Sequence, residues 1–195
     1  MKKSIFLLLL FTFPIFAFSQ DDEAKKIKVN LSGFVKNDFF WDSRQTVNAR
    51  EGHFLLFPSS VNEDADGNDL NEVSSMNFLA VQSRLSFGIT GPDVLNAKVS
   101  AKIEGDFFGQ ANDNINLLRL RHAFVQMKWE KSELLFGQYW IPTFVTGCFP
   151  GTVSFNTGVP FQPFGRNPQI RYSYNFGPGK IIAVAHMQRD YTSRG

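Results

Sequence analysis

The stretch Asn96-Ala-Lys-Val-Ser-Ala-Lys-Ile-Glu-Gly-Asp-Phe-Phe108 decides the fold. Its odd positions carry Ala97, Val99, Ala101, Ile103 and Phe107, and its even positions carry Lys98, Ser100, Lys102, Glu104 and Asp106. Successive side chains of a strand point to opposite faces, so a period of two describes a strand with one apolar and one charged face. The pattern recurs along the chain. Residues 29–41 set Val29, Leu31, Val35, Phe39 and Trp41 against Asn30, Ser32, Lys36 and Asp38. Residues 77–90 set Leu79, Val81, Leu85, Phe87 and Ile89 against Gln82, Arg84, Ser86 and Thr90. Residues 116–129 set Leu118, Leu120 and Phe124 against Arg119 and Arg121, and lose the alternation near Val125. Residues 168–176 set Ile170, Tyr172, Tyr174 and Phe176 against Gln169, Arg171, Ser173 and Asn175. Two less regular strands, 133–140 and 180–190, bring the count to about seven.

These strands run about 9 to 14 residues, longer than the 5–6 usual in globular sheets and long enough to cross a bilayer. Their connections alternate long and short. Residues 43–76, 109–115 and 141–167 form the longer ones, and 91–95, 130–132 and 177–179 the shorter. That parity fits an antiparallel outer-membrane β-barrel with short turns on the periplasmic side and long loops outside. A water-soluble β-sandwich is the alternative, and nothing in it calls for this parity. The 22 phenylalanines fit the same picture. Phe39, Phe40 and Trp41, then Phe107 and Phe108, then Tyr139 and Trp140 close outward-running strands, where an interfacial aromatic girdle belongs.

The chain of 195 residues begins with Lys2 and Lys3, an apolar run from Ile5 to Phe18, and small residues Ala17 and Ser19. This reads as a secretory signal peptide over 1–19, with a membrane-anchor helix as the alternative. Residues 20–27 are a short periplasmic N-terminus and 28–195 the partial barrel. Without Lys2 and Lys3, the 20 basic residues fall to 18 against 18 acidic. That balance excludes the basic excess of a nucleic-acid binder. A single cysteine, Cys148, excludes a disulfide framework. His53, His122 and His186 stand at no telling spacing from a nucleophile or carboxylate, so no enzyme is expected.

An odd strand count and a polar end from Asp190 to Gly195 indicate the N-terminal portion of a larger barrel; a small eight-stranded barrel is the alternative. Several segments in order resemble the N-terminal half of the DcaP-like outer-membrane porins. They are Leu31-Ser-Gly-Phe-Val-Lys-Asn-Asp38, Gln82-Ser-Arg-Leu-Ser-Phe87, Lys102-Ile-Glu-Gly-Asp-Phe-Phe-Gly109 and Arg166-Asn-Pro-Gln-Ile-Arg-Tyr172. Leu118-Arg-Leu-Arg-His-Ala-Phe124 and Gly137-Gln-Tyr-Trp140 also fit. The N-terminal coiled coil of some members is absent, and the long first loop departs from the simplest pattern. The resemblance implies a barrel of about sixteen strands. It also implies a homotrimer in the Gram-negative outer membrane, passing small anions such as dicarboxylates.

The polar faces define the expected pore wall: Lys36, Asp38, Arg84, Lys98, Lys102, Glu104, Asp106, Arg119, Arg121 and Arg171. Seven cations against three carboxylates would steer anions through a narrow aqueous lumen. The plainer reading is that the arginines pair with Glu104 and Asp106. The loop 141–167 holds one charge, Arg166, and five phenylalanines; Phe149, Phe155, Phe161 and Arg166 are expected to form a constriction inside the lumen. A trimer contact or an outer lid is the alternative. Asp64, Asp66 and Asn68 alternate as calcium ligands do, but the loop lacks Gly at position 6 and Glu at position 12 of an EF-hand. A solvated acidic loop is preferred there over calcium, and no other cofactor is expected. The partners are therefore outer-membrane lipid and small anionic solutes, in a passive diffusion porin. A structural or adhesive barrel with a plugged lumen is the rival.

Overall fold

A computed structural model describes residues 26–109, 111–149 and 165–189. The signal peptide 1–19 and residues 20–25 lie outside the described residues, as do Phe155 and Phe161. The architecture is all-β. A seven-stranded antiparallel sheet is accompanied by two small two-stranded sheets, one pairing β2 (Asp38–Asp42) with β5 (Ser75–Leu79) and the other β3 (Thr46–Ala49) with β4 (Phe54–Pro58). The large sheet is formed by β1 (Lys28–Phe34), β6 (Arg84–Thr90), β7 (Lys98–Phe107), β8 (Leu118–Lys128), β9 (Ser132–Trp140), β10 (Arg166–Phe176) and β11 (Gly179–His186). The sheet is open, with β1 and β11 at its edges.

One row of its outer face is apolar across every strand. Val29 pairs with Ile89, Ile89 with Ala101, Ala101 with Val125, Val125 with Phe136, Phe136 with Ile170, and Ile170 with Ala185. One residue per strand across all seven strands is uncharged and apolar, as a lipid-facing band requires. Short turns gather at one end. Gly177 and Pro178 join β10 to β11, Trp129 to Lys131 join β8 to β9, and the 91–97 turn joins β6 to β7 through Leu95 and Asn96, both at positive φ. The three longer segments leave from the opposite end.

Two bulges change the faces that strict alternation predicts. Residues 29–41 and 77–90 are each broken in two. β1 is followed by β2 (Asp38–Asp42), and β6 is preceded by β5 (Ser75–Leu79). Phe34 pairs with Arg84 and Asp38 with Leu79, so three residues on one side oppose four on the other. Gln82, at φ +67, sits in the longer side. The extra residue turns every β5 side chain over, because the strand period is two. Leu79 and Val81 therefore face inward, and Met76 and Phe78, each 70% exposed, face outward.

The second bulge lies in β8. Glu104 pairs with His122 but Gly105 pairs with Leu120, leaving Arg121 as the extra residue. Arg121 and His122 both turn inward and are buried, and Phe124, the partner of Lys102, follows them. Phe124 is thus on the inner wall, not on the lipid face. Opposite it stands Gly137 at φ +126, where a Cβ would collide with the Ala123 carbonyl. No other residue fits that close approach.

The aromatic strand ends divide by parity. Phe39, Trp41 and Phe107 are exposed outward, while Phe108 is fully buried in an inner cluster with Phe54, Val81 and Ile115. Phe54 comes from the first long loop. That loop forms a hairpin of β3 (Thr46–Ala49) and β4 (Phe54–Pro58), so the apolar run around His53 to Pro58 belongs to a loop hairpin.

Candidate functional site: a charged inner wall

The inner face of β6, β7 and β8 carries one continuous ion-pair network. Asp106 on β7 is fully buried, and three arginines converge on its carboxylate. Arg119 Nε donates to Oδ1 at 2.7 Å, Arg121 Nη1 donates to Oδ2 at 3.0 Å, and Arg84 Nη2 lies 3.5 Å from Oδ2. Glu104, one pleat away on the same face, accepts Arg121 Nε at 2.8 Å and Lys102 Nζ at 2.6 Å. Arg84 Nε stands 3.8 Å from Glu104 Oε1. Arg121 bridges the two carboxylates, and its own exposure is 5%. The bulge explains how it gets there, since Arg119 and Arg121 must share a face with His122 immediately behind them.

Arg84, Arg119 and Arg121 share the inner face and pair with Glu104 or Asp106, as the plainer reading expects. The network nevertheless holds four cations, Arg84, Lys102, Arg119 and Arg121, against two carboxylates. Farther along the wall, Arg171 donates to Gln169 Oε1 at 3.0 Å and to the Trp140 carbonyl at 2.9 Å, with the Tyr139 ring 5.1 Å away. These partners are neutral, so its charge adds to the excess. Lys36 Nζ pairs with Asp38 at 2.8 Å and bonds Gln82 Oε1 at 2.8 Å. Lys98 departs from expectation. Its side chain is 81% exposed and pairs with Asp93 in the short turn at 2.6 Å, because the strand ends there. Of the ten expected wall residues, six cations and three carboxylates remain on the wall once Lys98 is set aside.

Sequence spacing missed the histidines. His122 Nε2 lies 4.0 Å from Glu104 and its ring packs against Phe124, Tyr139 and Trp140, with centroids 6.2, 5.4 and 5.1 Å away. His53 Nδ1 lies 3.8 Å from Asp38. Burial holds the His53 imidazole below its ordinary range, with Lys36 and Arg50 adding to that and Asp38 opposing it. Both contacts cross between strands or loops far apart in sequence, which no local spacing reveals.

Arg166 opens β10 rather than sitting in the loop, and it is buried with its guanidinium 4.8 Å from the Trp140 ring centroid. Phe149 stacks on Phe144 at 5.1 Å, and Phe144 on Trp140 at 4.5 Å, so the described start of that loop is an aromatic chain running off the wall. In the acidic loop, Asp64 Oδ1 accepts the backbone amides of Asp66 and Asn68, each at 2.9 Å, and the Asn68 side-chain amide reaches Oδ2 at 3.1 Å. Those donors, the Asn68 amide foremost, hold the Asp64 carboxyl below the ordinary carboxylate range. Each competes with a cation for the same oxygens. Among the described residues, no three His, Cys, Asp or Glu side chains gather where a metal ion would bind.

An open amphipathic sheet of long antiparallel strands, lipid-compatible outside and charged inside, defines part of an outer-membrane β-barrel. No family profile matches the chain, and no curated protein sequence does. Among solved structures, the chain is similar to the outer membrane channel DcaP of Acinetobacter baumannii, at 28% identity and a TM-score of 0.56. The match covers 85% of this chain and 42% of that one, so the chain spans less than half the length of the channel it resembles. The DcaP-like relationship read from the ordered motifs is borne out, and with it an outer-membrane location.

Proposed function

We propose that the complete protein is a homotrimeric outer-membrane porin through which small anionic solutes diffuse passively. The observation that carries this reading is the converging arrangement at Asp106. Three arginines consume one buried carboxylate, Glu104 is taken by Arg121 and Lys102, and a net positive charge is left on the inner wall. Inside a narrow lumen with low-dielectric walls such a field concentrates anions and repels cations. The similarity to an outer-membrane channel supports the same reading.

The test is the reversal potential of the full-length protein in a planar bilayer under a KCl gradient. Wild type is expected to prefer chloride over potassium. The Arg84→Gln/Arg119→Gln double variant keeps Arg121, which clamps both carboxylates, and is expected to lose most of that preference. The preference should also fade as salt approaches 1 M, where the Debye length is about 3 Å. A cation-selective wild type, or an unchanged double variant, overturns the proposal.

A further inference from the structure

The tip of the β3–β4 hairpin is built into the inner wall. Residues Arg50, Glu51 and Gly52 all have positive φ, at 53°, 55° and 91°. Two successive non-glycine residues in the left-handed region carry backbone strain, which persists only where surrounding contacts over-determine it. Those contacts are present. The Glu51 amide donates to Asn112 Oδ1 at 3.2 Å, from the segment joining β7 to β8. A Cβ on Gly52 would come 2.9 Å from the inward-facing Phe40 ring, so the turn is seated against β2. His53 and Phe54 pack on Phe108, with centroids 5.0 and 6.1 Å away, and Phe54 joins the inner cluster of Val81 and Ile115.

The consequence is the position of Arg50. Its guanidinium carbon lies 4.7 Å from the Phe108 ring centroid, and that of Arg119 lies 5.1 Å from the same ring. A loop arginine and a wall arginine thus share one aromatic partner. Cations near an aromatic ring are attracted to its electron-rich face, which gives the ring a means of holding both against their mutual repulsion. Arg119 is the member of the network that also grips Asp106. The hairpin therefore extends the cationic wall from the sheet onto the loop, at the end from which the longer segments leave.

We propose that Arg50 is a charge-selectivity determinant of the pore and that the hairpin, docked through His53 and Phe54, narrows the passage there. This rests on the porin reading and adds to it a residue and a loop that sequence patterning left out. The expected constriction in 141–167 is a separate element.

The experiment uses the full-length protein with Cys148→Ser, so that Arg50→Cys is the single reactive thiol of this portion. The assembled channel is treated with a negatively charged and, separately, a positively charged methanethiosulfonate reagent. Folding is complete before the charge is changed. The negative adduct is expected to lower the chloride-to-potassium permeability ratio by roughly twofold or more, and the positive adduct to restore it toward wild type. Phe54→Ala, which removes the anchor, is expected to raise single-channel conductance. Equal permeability ratios for both adducts, or unchanged conductance in Phe54→Ala, would place the hairpin outside the conduction path and overturn this inference. If the Arg84→Gln/Arg119→Gln variant still loses anion preference in that case, the porin reading stands and only the role of Arg50 falls. A wild type without anion preference removes both.

Discussion

Arg121→Met is expected to destabilise the folded protein by about 3 kcal/mol or more, the range for removing one partner of a buried ion pair. Arg121 donates to both buried carboxylates, to Glu104 Oε1 at 2.8 Å and to Asp106 Oδ2 at 3.0 Å. Methionine keeps most of the side-chain length and packing, so the loss reports on charge rather than on a cavity. Asp106 retains Arg119 and Arg84, but among the described residues Glu104 keeps only Lys102 at short range. Glu104 should therefore be the group left in distress. The compensating change follows from that. Arg121→Met combined with Glu104→Gln is expected to recover at least half of the loss, because a neutral amide in the same place no longer needs a counter-charge. The measurement is a double-mutant cycle on the urea midpoint of full-length protein refolded in lipid vesicles. Additive single losses, or an Arg121→Met variant within experimental error of wild type, would show that the pair is not coupled as the geometry indicates.

Much of the fold was legible in residue order because a strand's faces are fixed by parity alone. From Val99 to Phe107 the alternation is unbroken, and the apolar and polar faces fall as the parity predicts, while Lys98 at the strand start turns to Asp93. The same holds for Gln169 to Phe176. Parity fails wherever the chain inserts an extra residue, and a bulge has no dedicated residue type when it is not built on glycine. Gln82 supplies the positive φ at the first bulge, and no feature of Gln82 announces it. The second bulge did leave a trace. The alternation in 116–129 fades near Val125, just past the point where Arg121 is left without a partner in the β7–β8 ladder.

The candidate site was legible in part for the same reason. Arg84, Glu104, Asp106, Arg119 and Arg121 were assigned to one face, and they meet there within 4 Å of one another's charged atoms through the chain of contacts centred on Asp106. What residue order could not supply is contact between segments far apart. Arg50 meets Phe108 across 58 positions, and His53 meets Asp38 because the loop between them doubles back. The run His53-Phe-Leu-Leu-Phe-Pro58 was the available signal. An apolar run in an otherwise solvated loop has to bury something, and here it buries Phe54.

Ile103→Arg and Val125→Arg are each expected to lower the stability of the inserted barrel by about 2–4 kcal/mol, and Ser100→Arg and Gln126→Arg by far less. Ile103 and Val125 lie on the outer face, 49% and 46% exposed, and lie between apolar neighbours. Ile103 pairs with Phe87 and Ala123, and Val125 with Ala101 and Phe136. A guanidinium placed there must either sit in hydrocarbon or thin the bilayer around it. Ser100 and Gln126 are cross-strand partners on the inner face and line an open recess with Lys102 and Phe124. An arginine there reaches water. The four sites form a matched design, since Val125 and Gln126 are adjacent in one strand and differ only in the face they present. Strand propensity, backbone hydrogen bonding and depth are nearly equal for the two, so a difference between them isolates the solvent on each side. Folding into vesicles, followed by the urea midpoint for the folded fraction, measures it. Equal costs at Val125 and Gln126 would mean that both faces meet the same medium, and the assignment of lipid to the Val29–Ala185 row would then be wrong.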